Sequence, residues 1–350
     1  MRLALDAMGG DHAPAAAVEG AVLFARGFPQ HQVLLVGDEA RVRPFLRDAP
    51  SNLELRHASE VVEMADHATA IKKKRDSSLR VCFESMKAGE VQAVVSAGHS
   101  GAVMAGALLV MGRIPGVERP AIATLFPALK GEGRCLLLDA GANAECRPSH
   151  LAQFAVMGEA YVRALLGVAR PRVAVLSNGE EASKGTALTR QACALLQKAD
   201  LRFTGYVEGK DIFSGEVEVV VTDGFTGNVV LKTSEGAAMA VAGLIRSAVE
   251  KAGLGEKLGA LLLAPTFAGL KRVVDYAEYG GAPLLGVRGV GVVAHGRSTP
   301  KALKNALRAA LGTAEARLQE EIAASIARSE AWWPRSAAKG KSGTAEPISE

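Results

Sequence analysis

Short apolar runs recur along the chain, and each one ends in a cluster of Gly, Asp, Asn or Ser residues before a stretch of helical pattern. Six runs with their clusters follow this rule: Arg2–Leu5 with Asp6–Asp11, Val33–Val36 with Gly37–Glu39, Val91–Val95 with Ser96–Gly106, Cys135–Leu138 with Asp139–Asn143, Val173–Leu176 with Ser177–Glu181, and Val217–Val221 with Thr222–Asn228. Such runs are typical of strands covered on both faces, so the pattern predicts an α/β fold with a mostly parallel sheet. Because ligands of these folds bind where the carboxyl ends of parallel strands share one edge, we expect the chemistry to lie in these six loops.

The stretch from Val91 to Gly106 is the clearest example of this pattern. A buried strand runs to Ser96, a tight turn contains Gly98 and Gly101, and a helix follows. Glycine permits positive φ and close backbone approach, and the start of a helix presents free N–H groups that favour an anion. The turn therefore predicts a phosphate cradle, and the alternative is a strand-to-helix turn that uses glycine only for compactness.

The rest of the chain supplies further elements and a boundary. Helices are predicted from Pro14 to about Phe28, over Leu79–Ala88, over His150–Leu166, over Ser234–Ala252, and as one continuous helix from Thr299-Pro300 to Ile326. Ser77 or Ser78 is expected to cap the helix over Leu79–Ala88. Strands are predicted at Ala121–Phe126, which forms a hairpin with Cys135–Leu138, and at Leu284–Val287 and Gly291–Val293. We expect one α/β catalytic domain over 1–333, with a helical protrusion near 234–272. The residues 334–350 have little to bury, so they are expected to form a disordered tail.

Composition and charge narrow the class of protein. The chain has 350 residues, 49% of them hydrophobic, which is enough for a substantial core. Its 41 Lys and Arg residues against 37 Asp and Glu are spread along the chain, so a nucleic-acid partner is not expected. The four cysteines have no disulfide or metal spacing, and neither a signal peptide nor a membrane span is apparent. These features predict a cytoplasmic protein, at most peripherally associated with the inner face of the cell membrane.

Two surface segments leave alternatives open. The basic run Lys72–Arg75 is either a solvated helix face or a docking patch for an acidic partner or anionic substrate. The leucine-rich segment Leu254–Leu263 is either ordinary core or an exposed apolar face for a partner, an acyl chain or a membrane surface.

The predicted loops contain groups suited to anion chemistry but no protein nucleophile of a known pattern. They carry the amides of Asn143, Asn178 and Asn228 and the carboxylates of Asp6, Asp11, Asp139, Glu180, Glu181 and Asp223. Lys184 follows one loop, where it would either support a phosphoanion or oxyanion, or form an ion pair with Glu180 or Glu181. The carboxylates are expected to cap helices rather than to hold Mg²⁺.

Long motifs spread along the chain resemble those of one protein family. They are Asp6–Pro14, Lys73–Ser78, Gly112–Ile114, Gly141–Asn143, Asn178–Glu181 with Lys184-Gly185, Val207–Ile212, Asp223–Asn228, Glu278–Ala282 and His295-Gly296. From Met1 to about Leu311 the chain is similar to the bacterial phosphate acyltransferases of phospholipid synthesis. The resemblance implies a Rossmann-like α/β/α sandwich of the phosphotransacetylase and isocitrate-dehydrogenase type, a homodimer and no organic cofactor. The chain departs from the family pattern at His99-Ser100, where Asn-Thr is usual, and at Ser177-Asn178-Gly179, where Asn-Ile-Gly is usual.

The resemblance also implies an activity and a set of site residues. It implies transfer of a long-chain acyl group from acyl carrier protein to inorganic phosphate, with the product passed at a membrane surface to a membrane-bound glycerol-3-phosphate acyltransferase. Lys184 and Asn228 would be catalytic, without a metal. Phosphate or substrate would be bound by Asp6, Gly9, Gly10, Ser96, Gly98, His99, Ser100, Gly101, Asn143, Asn178, Asp223, Gly224 and Gly227. The loops 98–101 and 224–228 are expected to converge. Alternatives are a coenzyme A-dependent phosphotransacetylase and a non-catalytic scaffold for lipid-synthesis enzymes.

Overall fold

The computed structural model describes residues 1–131, 133–264 and 280–332. The strands are β1 (Arg2–Asp6), β2 (Gln32–Gly37), β3 (Leu53–His57), β4 (Ala93–Ser96), β5 (Ala121–Pro127), β6 (Arg134–Leu138), β7 (Arg172–Leu176), β8 (Arg202–Val207), β9 (Val219–Val221), β10 (Ala282–Leu285) and β11 (Val290–Val293). The α-helices are α1 (Ala15–Gly27), α2 (Glu39–Val42), α3 (Ser78–Lys87), α4 (Ser100–Val110), α5 (Pro148–Leu166), α6 (Ala187–Leu196), α7 (Gly224–Lys251), α8 (Leu254–Leu262), α9 (Pro300–Glu315) and α10 (Leu318–Ser329).

The strands form a single 11-stranded sheet that consists of two parallel halves. Its order is β3-β2-β1-β4-β11-β10-β5-β6-β9-β7-β8. In the first half β3, β2, β1, β4 and β11 are parallel to one another, and in the second half β6, β9, β7 and β8 are parallel to one another. The antiparallel strands β10 and β5 join the halves.

The prediction that all six loops share one edge is wrong. Three successive antiparallel pairings, β11 with β10, β10 with β5 and β5 with β6, reverse the direction of the second half relative to the first. The loops after β1, β2 and β4 therefore leave one edge of the sheet, and the loops after β6, β7 and β9 leave the opposite edge. Residues from both sets can meet only where the halves join.

Helices pack on both faces of the sheet, which confirms the predicted α/β class with a mostly parallel sheet. In the first half, Leu3 and Leu5 pack with α1 and α9, whereas the intervening Ala4 packs with α3 and α4 on the other face. In the second half α5 and α10 cover one face, where Phe154 and Ile322 are buried. The alternation of side chains along each strand places apolar groups on both faces, which explains the continuous apolar runs.

Two helix predictions need correction. The apolar stripe from Leu303 to Ile326 belongs to two helices, because the chain turns at Arg317, whose φ is 48°. The first helix, α9, packs on the core of the first half, and α10 packs on the core of the second half. Helix α7 begins at Gly224 rather than at Ser234, because the Asp223 side chain caps its first turn. The proposed tail 334–350 lies outside the described residues.

Candidate functional site

A cavity of about 300 Å³ lies where the two halves of the sheet join, beside the first turns of α7. Apolar side chains contribute much of its wall: Ile122, Leu125, Ala140, Leu231, Ala282, Val293 and Ala294. Its polar side chains are those of Ser100, Thr124, Asn228, Lys232, Glu235 and His295, and its glycines are Gly141 and Gly281. Clefts of this size with an apolar wall and a few polar groups are typical ligand sites.

The start of α7 is pressed against the loop that follows β6. A Cβ atom added at Gly227 would lie 1.9 Å from the backbone oxygen of Asp139, and one added at Gly224 would lie 2.7 Å from the backbone oxygen of Asn143. Only glycine permits this approach at either position. Asp223 fixes the same turn, since its Oδ1 accepts a hydrogen bond of 2.8 Å from the Thr226 backbone N–H. The predicted residues Asp223, Gly224 and Gly227 thus position the helix.

The side chains of Asn228, Leu231, Lys232 and Glu235 lie on one face of α7, because their spacing follows the helical repeat, and all four line the cavity. Lys232 Nζ is 2.9 Å from Glu235 Oε2 and 3.5 Å from His295 Nε2. The His295 Nδ1 accepts a hydrogen bond from the Arg297 backbone N–H at 3.1 Å. Sequence reasoning missed Lys232, Glu235 and His295 as cavity residues, although the i, i+4 spacing of Asn228 and Lys232 was a usable signal.

The loop after β6 is organised by the buried carboxylate of Asp139. This carboxylate accepts backbone N–H groups from Ile122, Gly141, Ala142 and Asn143, at distances from 2.7 to 3.1 Å. Burial raises the pKa of the Asp139 carboxyl, and these hydrogen bonds oppose the rise. The predicted residue Asn143 is buried, and its amide donates to Asp139 at 2.8 Å and to the Pro120 carbonyl at 2.7 Å. Asn143 therefore holds the loop in shape.

A second buried carboxylate, Asp6, is the last residue of β1 and joins predicted residues of the first half. It accepts the hydroxyl groups of Ser78 at 2.6 Å and Ser96 at 2.7 Å, and the Met8 backbone N–H at 3.0 Å. The prediction that a Ser77 or Ser78 side chain caps α3 is wrong, because the Ser78 hydroxyl donates to Asp6 and the Ser77 hydroxyl donates to the Lys74 carbonyl. Burial raises the pKa of Asp6, and the hydrogen bonds from the two serines oppose this.

The glycines of the first half bring its loops close together. A Cβ atom at Gly9 would lie 2.6 Å from the Gly98 backbone nitrogen, and one at Gly10 would lie 3.0 Å from the Gly296 carbonyl oxygen. The Gly98 N–H donates to Ser96 Oγ at 3.0 Å. The structure therefore gathers Asp6, Ser96 and these glycines into one packed group beneath the start of α4.

The residues His99, Ser100 and Gly101 form the first turn of α4. The Nδ1 of His99 accepts the Ala102 backbone N–H at 3.2 Å, so this side chain caps the helix. A Cβ atom at Gly101 would lie 2.8 Å from the His99 ring. Only Ser100 of this group lines the cavity, together with Asn228 from the other half.

Lys184 and Asn178 lie in the loop after β7, next to the Asp223 turn because β7 pairs with β9. The Asn178 Oδ1 accepts the Gly185 backbone N–H at 3.0 Å, so this amide shapes its own loop. Lys184 is exposed and, across 1–131, 133–264 and 280–332, forms no ion pair; Glu180 instead lies 3.9 Å from Lys210. Lys184 does not line the cavity beside Asn228.

The charged groups of the described residues include no cluster of three or more His, Cys, Asp or Glu side chains suited to a metal. In that same part of the chain no helix is long and apolar enough to cross a membrane.

Comparison with known proteins places these features in a family. A family model described as a fatty acid synthesis protein matches residues 1–321. A phosphate acyltransferase of Myxococcus xanthus (strain DK1622) is 70% identical over 354 residues, and the alignment covers 100% of both chains. A phosphate acyltransferase of Anaeromyxobacter sp. (strain Fw109-5) is 53% identical over 335 residues, covering 94% of this chain and 92% of the relative.

Solved structures support the fold. A phosphotransacetylase from Streptococcus pyogenes aligns with a TM-score of 0.60 at 17% identity, covering 91% of this chain and 94% of the other. The EutD phosphotransacetylase from Staphylococcus aureus aligns with a TM-score of 0.57 at 17% identity, covering 90% of this chain and 94% of the other. These similarities confirm the expected phosphotransacetylase type of fold, and at this identity they concern the fold alone.

Proposed function

This chain belongs to the phosphate acyltransferases of the fatty acid synthesis protein family, and we propose that it transfers a long-chain acyl group from the thioester of acyl carrier protein to inorganic phosphate. In this reaction a phosphate oxygen attacks the thioester carbonyl carbon and forms a C–O bond. The tetrahedral oxyanion then collapses, the C–S bond breaks, and the thiolate leaves with the electron pair. The thiolate takes up the proton that the attacking hydrogen phosphate gives up, so the products are an acyl phosphate and the free thiol of the carrier.

The observation that carries the proposal is the meeting of two helix starts at one cavity with a partly apolar wall. Ser100 in the first turn of α4 and Asn228 near the start of α7 both line it, although they belong to opposite halves of the sheet. Helix N-termini favour phosphate and a developing oxyanion. The apolar wall suits the acyl chain. Phosphate and the thioester would be held side by side, and positioning of this kind needs no protein nucleophile.

Three polar side chains receive roles in this proposal. Asn228 donates a hydrogen bond to the oxyanion or to phosphate. Lys232, held by Glu235 at 2.9 Å, supplies positive charge at the cavity wall. Lys184 approaches phosphate from the neighbouring loop, and its lack of an ion pair within the described ranges supports this role. Two cations beside phosphate reduce its repulsion from the oxyanion.

The test is phosphate-dependent release of thiol from acyl carrier protein by the pure protein, with carriers of different acyl length. We expect release with long-chain acyl carrier protein and much less with short-chain acyl coenzyme A. Preference for short-chain acyl coenzyme A would instead indicate a phosphotransacetylase. Absence of release from both carriers would favour the scaffold alternative.

The basic run beside α3 is proposed as the surface that meets the acidic carrier protein. Lys72, Lys73 and Arg75 are exposed, whereas Lys74 is held by Asp66 at 2.6 Å. A basic surface accelerates encounter with an acidic partner and makes it sensitive to salt. Reversing the three exposed charges should raise the KM for acyl carrier protein and weaken its salt dependence. The same reversal at exposed Lys198 should change neither quantity, and equal behaviour of the two variants would exclude this surface.

The exposed apolar side chains of α7 are proposed as a contact with a second copy of the chain. Val241, Leu244 and Ile245 are exposed, and the last two lie one helical turn from Val241 on the same face of the helix. Exposed apolar patches of this kind mark interaction sites. Sedimentation should give a dimer for the wild type and a monomer for Leu244→Glu. A dimer that persists in this variant would place the contact elsewhere.

The leucines of α8 and its C-terminal end are proposed to contact an anionic membrane surface, where a membrane-bound glycerol-3-phosphate acyltransferase would accept the product. Leu258, Leu261, Leu262 and Leu263 are between 52% and 76% exposed, so they are not core residues of this chain. Lys271 and Arg272 follow these leucines in the sequence and would meet anionic headgroups, but both lie outside the described residues. Leucines that enter the membrane interface, together with attraction of the protein to anionic lipid, give modest, reversible membrane binding.

Flotation with anionic and with neutral vesicles tests this contact. Wild type should float with anionic vesicles, and Leu258→Glu should not. Leu129→Glu, at a leucine that is 90% exposed elsewhere on the surface, is the matched control and should float like the wild type. Equal flotation of Leu258→Glu and wild type would assign these leucines to another contact.

A further inference from the structure

A second cavity of about 540 Å³ lies behind the loop after β6. It is lined by Leu108, Arg113, Glu118, Arg119, Pro120, Arg147 and His150. The Asp139–Asn143 loop separates the two cavities: Ala140 and Gly141 line the first, and Asn143 donates to the carbonyl of Pro120, which lines the second. Helix α4 also contacts both, through Ser100 at its start and Leu108 near its end. The second cavity is therefore an immediate neighbour of the proposed catalytic one.

Positive charge dominates the second cavity. Three arginines line it, and the carboxylate of Glu118 is occupied by His150 Nε2 at 3.1 Å and by the Ser149 hydroxyl at 3.2 Å. The Arg113 guanidinium donates to the backbone carbonyl of Glu118. In contrast, the side chains of Arg119 and Arg147 make no hydrogen bond or ion pair in the part of the chain that the structure describes. Two guanidinium groups are thus available to a ligand.

The buried side chain of His150 holds the Glu118 carboxylate in place. Its Nδ1 accepts the Arg147 backbone N–H at 3.1 Å, which leaves the proton of the neutral ring on Nε2, facing Glu118. Burial lowers the pKa of His150, and the nearby charges of Arg119 and Arg147 lower it further, although Glu118 opposes them. His150 therefore stays neutral near pH 7 and does not add to the positive charge.

We propose that this second cavity binds a phosphate group of the acyl donor, namely the phosphodiester in the prosthetic arm through which a carrier protein holds its thiol. The assignment rests on the proposed function, because it requires a donor whose thioester occupies the adjacent catalytic cavity. Guanidinium groups bind phosphate oxygens through paired hydrogen bonds, which makes arginine well suited to this ligand. Binding the arm at a fixed point would align its thioester with the phosphate held between α4 and α7.

The double variant Arg119→Gln with Arg147→Gln tests this inference, because it removes both available charges and keeps similar side-chain size. We expect its KM for acyl carrier protein to rise about tenfold or more, which corresponds to the loss of one or two charge-assisted hydrogen bonds. The kcat and the KM for inorganic phosphate should stay close to wild type. The control, Arg170→Gln with Arg202→Gln, changes two exposed arginines outside the cavity and should leave all three quantities unchanged.

An acyl donor that lacks the phosphodiester shows whether the second cavity binds the phosphate group of the donor or inorganic phosphate. With an acyl thioester of N-acetylcysteamine, the double variant and the wild type should react equally well. A rise in the KM for inorganic phosphate, with that for acyl carrier protein unchanged, would overturn the inference and assign the cavity to the acceptor. Unchanged constants for both would also overturn it. Failure of the proposed function itself looks different, since the wild type would then release no thiol in the presence of phosphate.

Discussion

Each half of the sheet buries an aspartate at the end of a strand, Asp6 as the last residue of β1 and Asp139 directly after β6, but the two aspartates have different partners. Asp6 accepts two serine hydroxyls and a backbone N–H, and so ties together segments that are up to 90 residues apart in sequence. Asp139 accepts backbone N–H groups from its own loop and the adjacent strand, together with the Asn143 amide. The first aspartate joins distant parts of the fold, whereas the second shapes one loop.

The comparison of Asp6 with Asp139 shows which features connect a buried carboxylate to the candidate site. Both aspartates lie at the carboxyl end of a strand, and burial raises the pKa of both, so neither feature separates them. The two aspartates differ in which helix packs on the loop beside them. The first turn of α7 rests on the Asp139 loop, which also contributes Ala140 and Gly141 to the cavity. Asp6 reaches the cavity only indirectly, through the Ser96 turn that precedes Ser100.

The largest expected effect is at the contact between α7 and the Asp139 loop. Gly227→Ala would place a Cβ atom 1.9 Å from the Asp139 carbonyl oxygen, so the helix start must shift. Because displacement of a positioning element by about 1 Å can cost ~10²-fold in rate, we expect kcat/KM to fall by about that factor. Gly236→Ala, at a position on the same helix with no atom within 4 Å, should retain activity and gain about 0.5–1 kcal/mol of stability. Wild-type kcat/KM in Gly227→Ala would show that the contact does not position the site.

A loss of activity of similar size is expected when the positive charge of Lys232 or Lys184 is removed. Lys232→Gln and Lys184→Ala should each lower kcat by roughly 10²-fold, as removal of one preorganised transition-state donor does. Lys251→Gln, at an exposed lysine near the other end of α7, is the matched control. Circular dichroism should show that all three variants keep the fold. Near-normal turnover of Lys232→Gln or of Lys184→Ala would remove that lysine from the proposed chemistry.

The partners of the two aspartates predict a difference in stability. In Asp139→Asn the new amide N–H groups would face backbone donors, which cannot reverse their role, so we expect a loss of about 2–3 kcal/mol. In Asp6→Asn a serine hydroxyl can turn to accept instead, and a loss of about 1 kcal/mol is expected. Urea unfolding of both variants gives the comparison. Equal losses would mean that the kind of donor does not matter here.

The raised pKa of each aspartate also predicts a pH dependence of folding. A carboxyl whose pKa is higher in the folded protein contributes its stability fully below the unfolded pKa of about 3.9, and this contribution is lost as pH rises through the folded pKa. Asp6→Asn lacks this titration, so the difference in unfolding free energy between wild type and variant should shrink as pH rises above about 4. A difference that is constant with pH, or that grows, would contradict the direction of the shift.

The smallest expected effect is at the strand that joins the halves. The Thr124 hydroxyl on β5 is buried and has no hydrogen-bond partner among the described residues. Thr124→Val removes this unsatisfied group at nearly constant volume and should stabilise the fold by about 1 kcal/mol, measured as a higher Tm. Thr313→Val, which deletes a hydroxyl that donates to the Ala309 carbonyl at 2.8 Å, should be slightly destabilising. A lower Tm for Thr124→Val would indicate a partner for the hydroxyl.

The sequence predicted the central strands better than the edge strands, for a physical reason. Central strands are covered on both faces and appear as apolar runs, as in β1 and β4. The edge strands β3 and β8 are partly exposed, so their residues alternate between polar and apolar and no run marks them. The hairpin of β5 with β6 was predicted correctly, but the insertion of β10 beside it depends on packing across the sheet and not on local pattern.

The same limits explain what was found and missed in the candidate site. The loops with Ser100 and Asn228 were found because glycine clusters mark them. Lys232 was missed because the helix was expected to begin only at Ser234, so it was not placed on one face with Asn228. His295 comes near Lys232 only because β11 returns to the first half, and a contact across 63 residues of chain has no local signal.

The order of strands has a consequence for synthesis on the ribosome. The edge of β4 in the first half is completed by β11, which spans Val290–Val293, so about 200 residues are translated between the two strands. Until β11 emerges, the nascent chain presents β4 with open backbone hydrogen-bonding groups, which is a surface prone to mispairing. Premature termination after β9 would therefore leave the first half unfinished although its first four strands are present, and such fragments should depend on chaperones or be degraded.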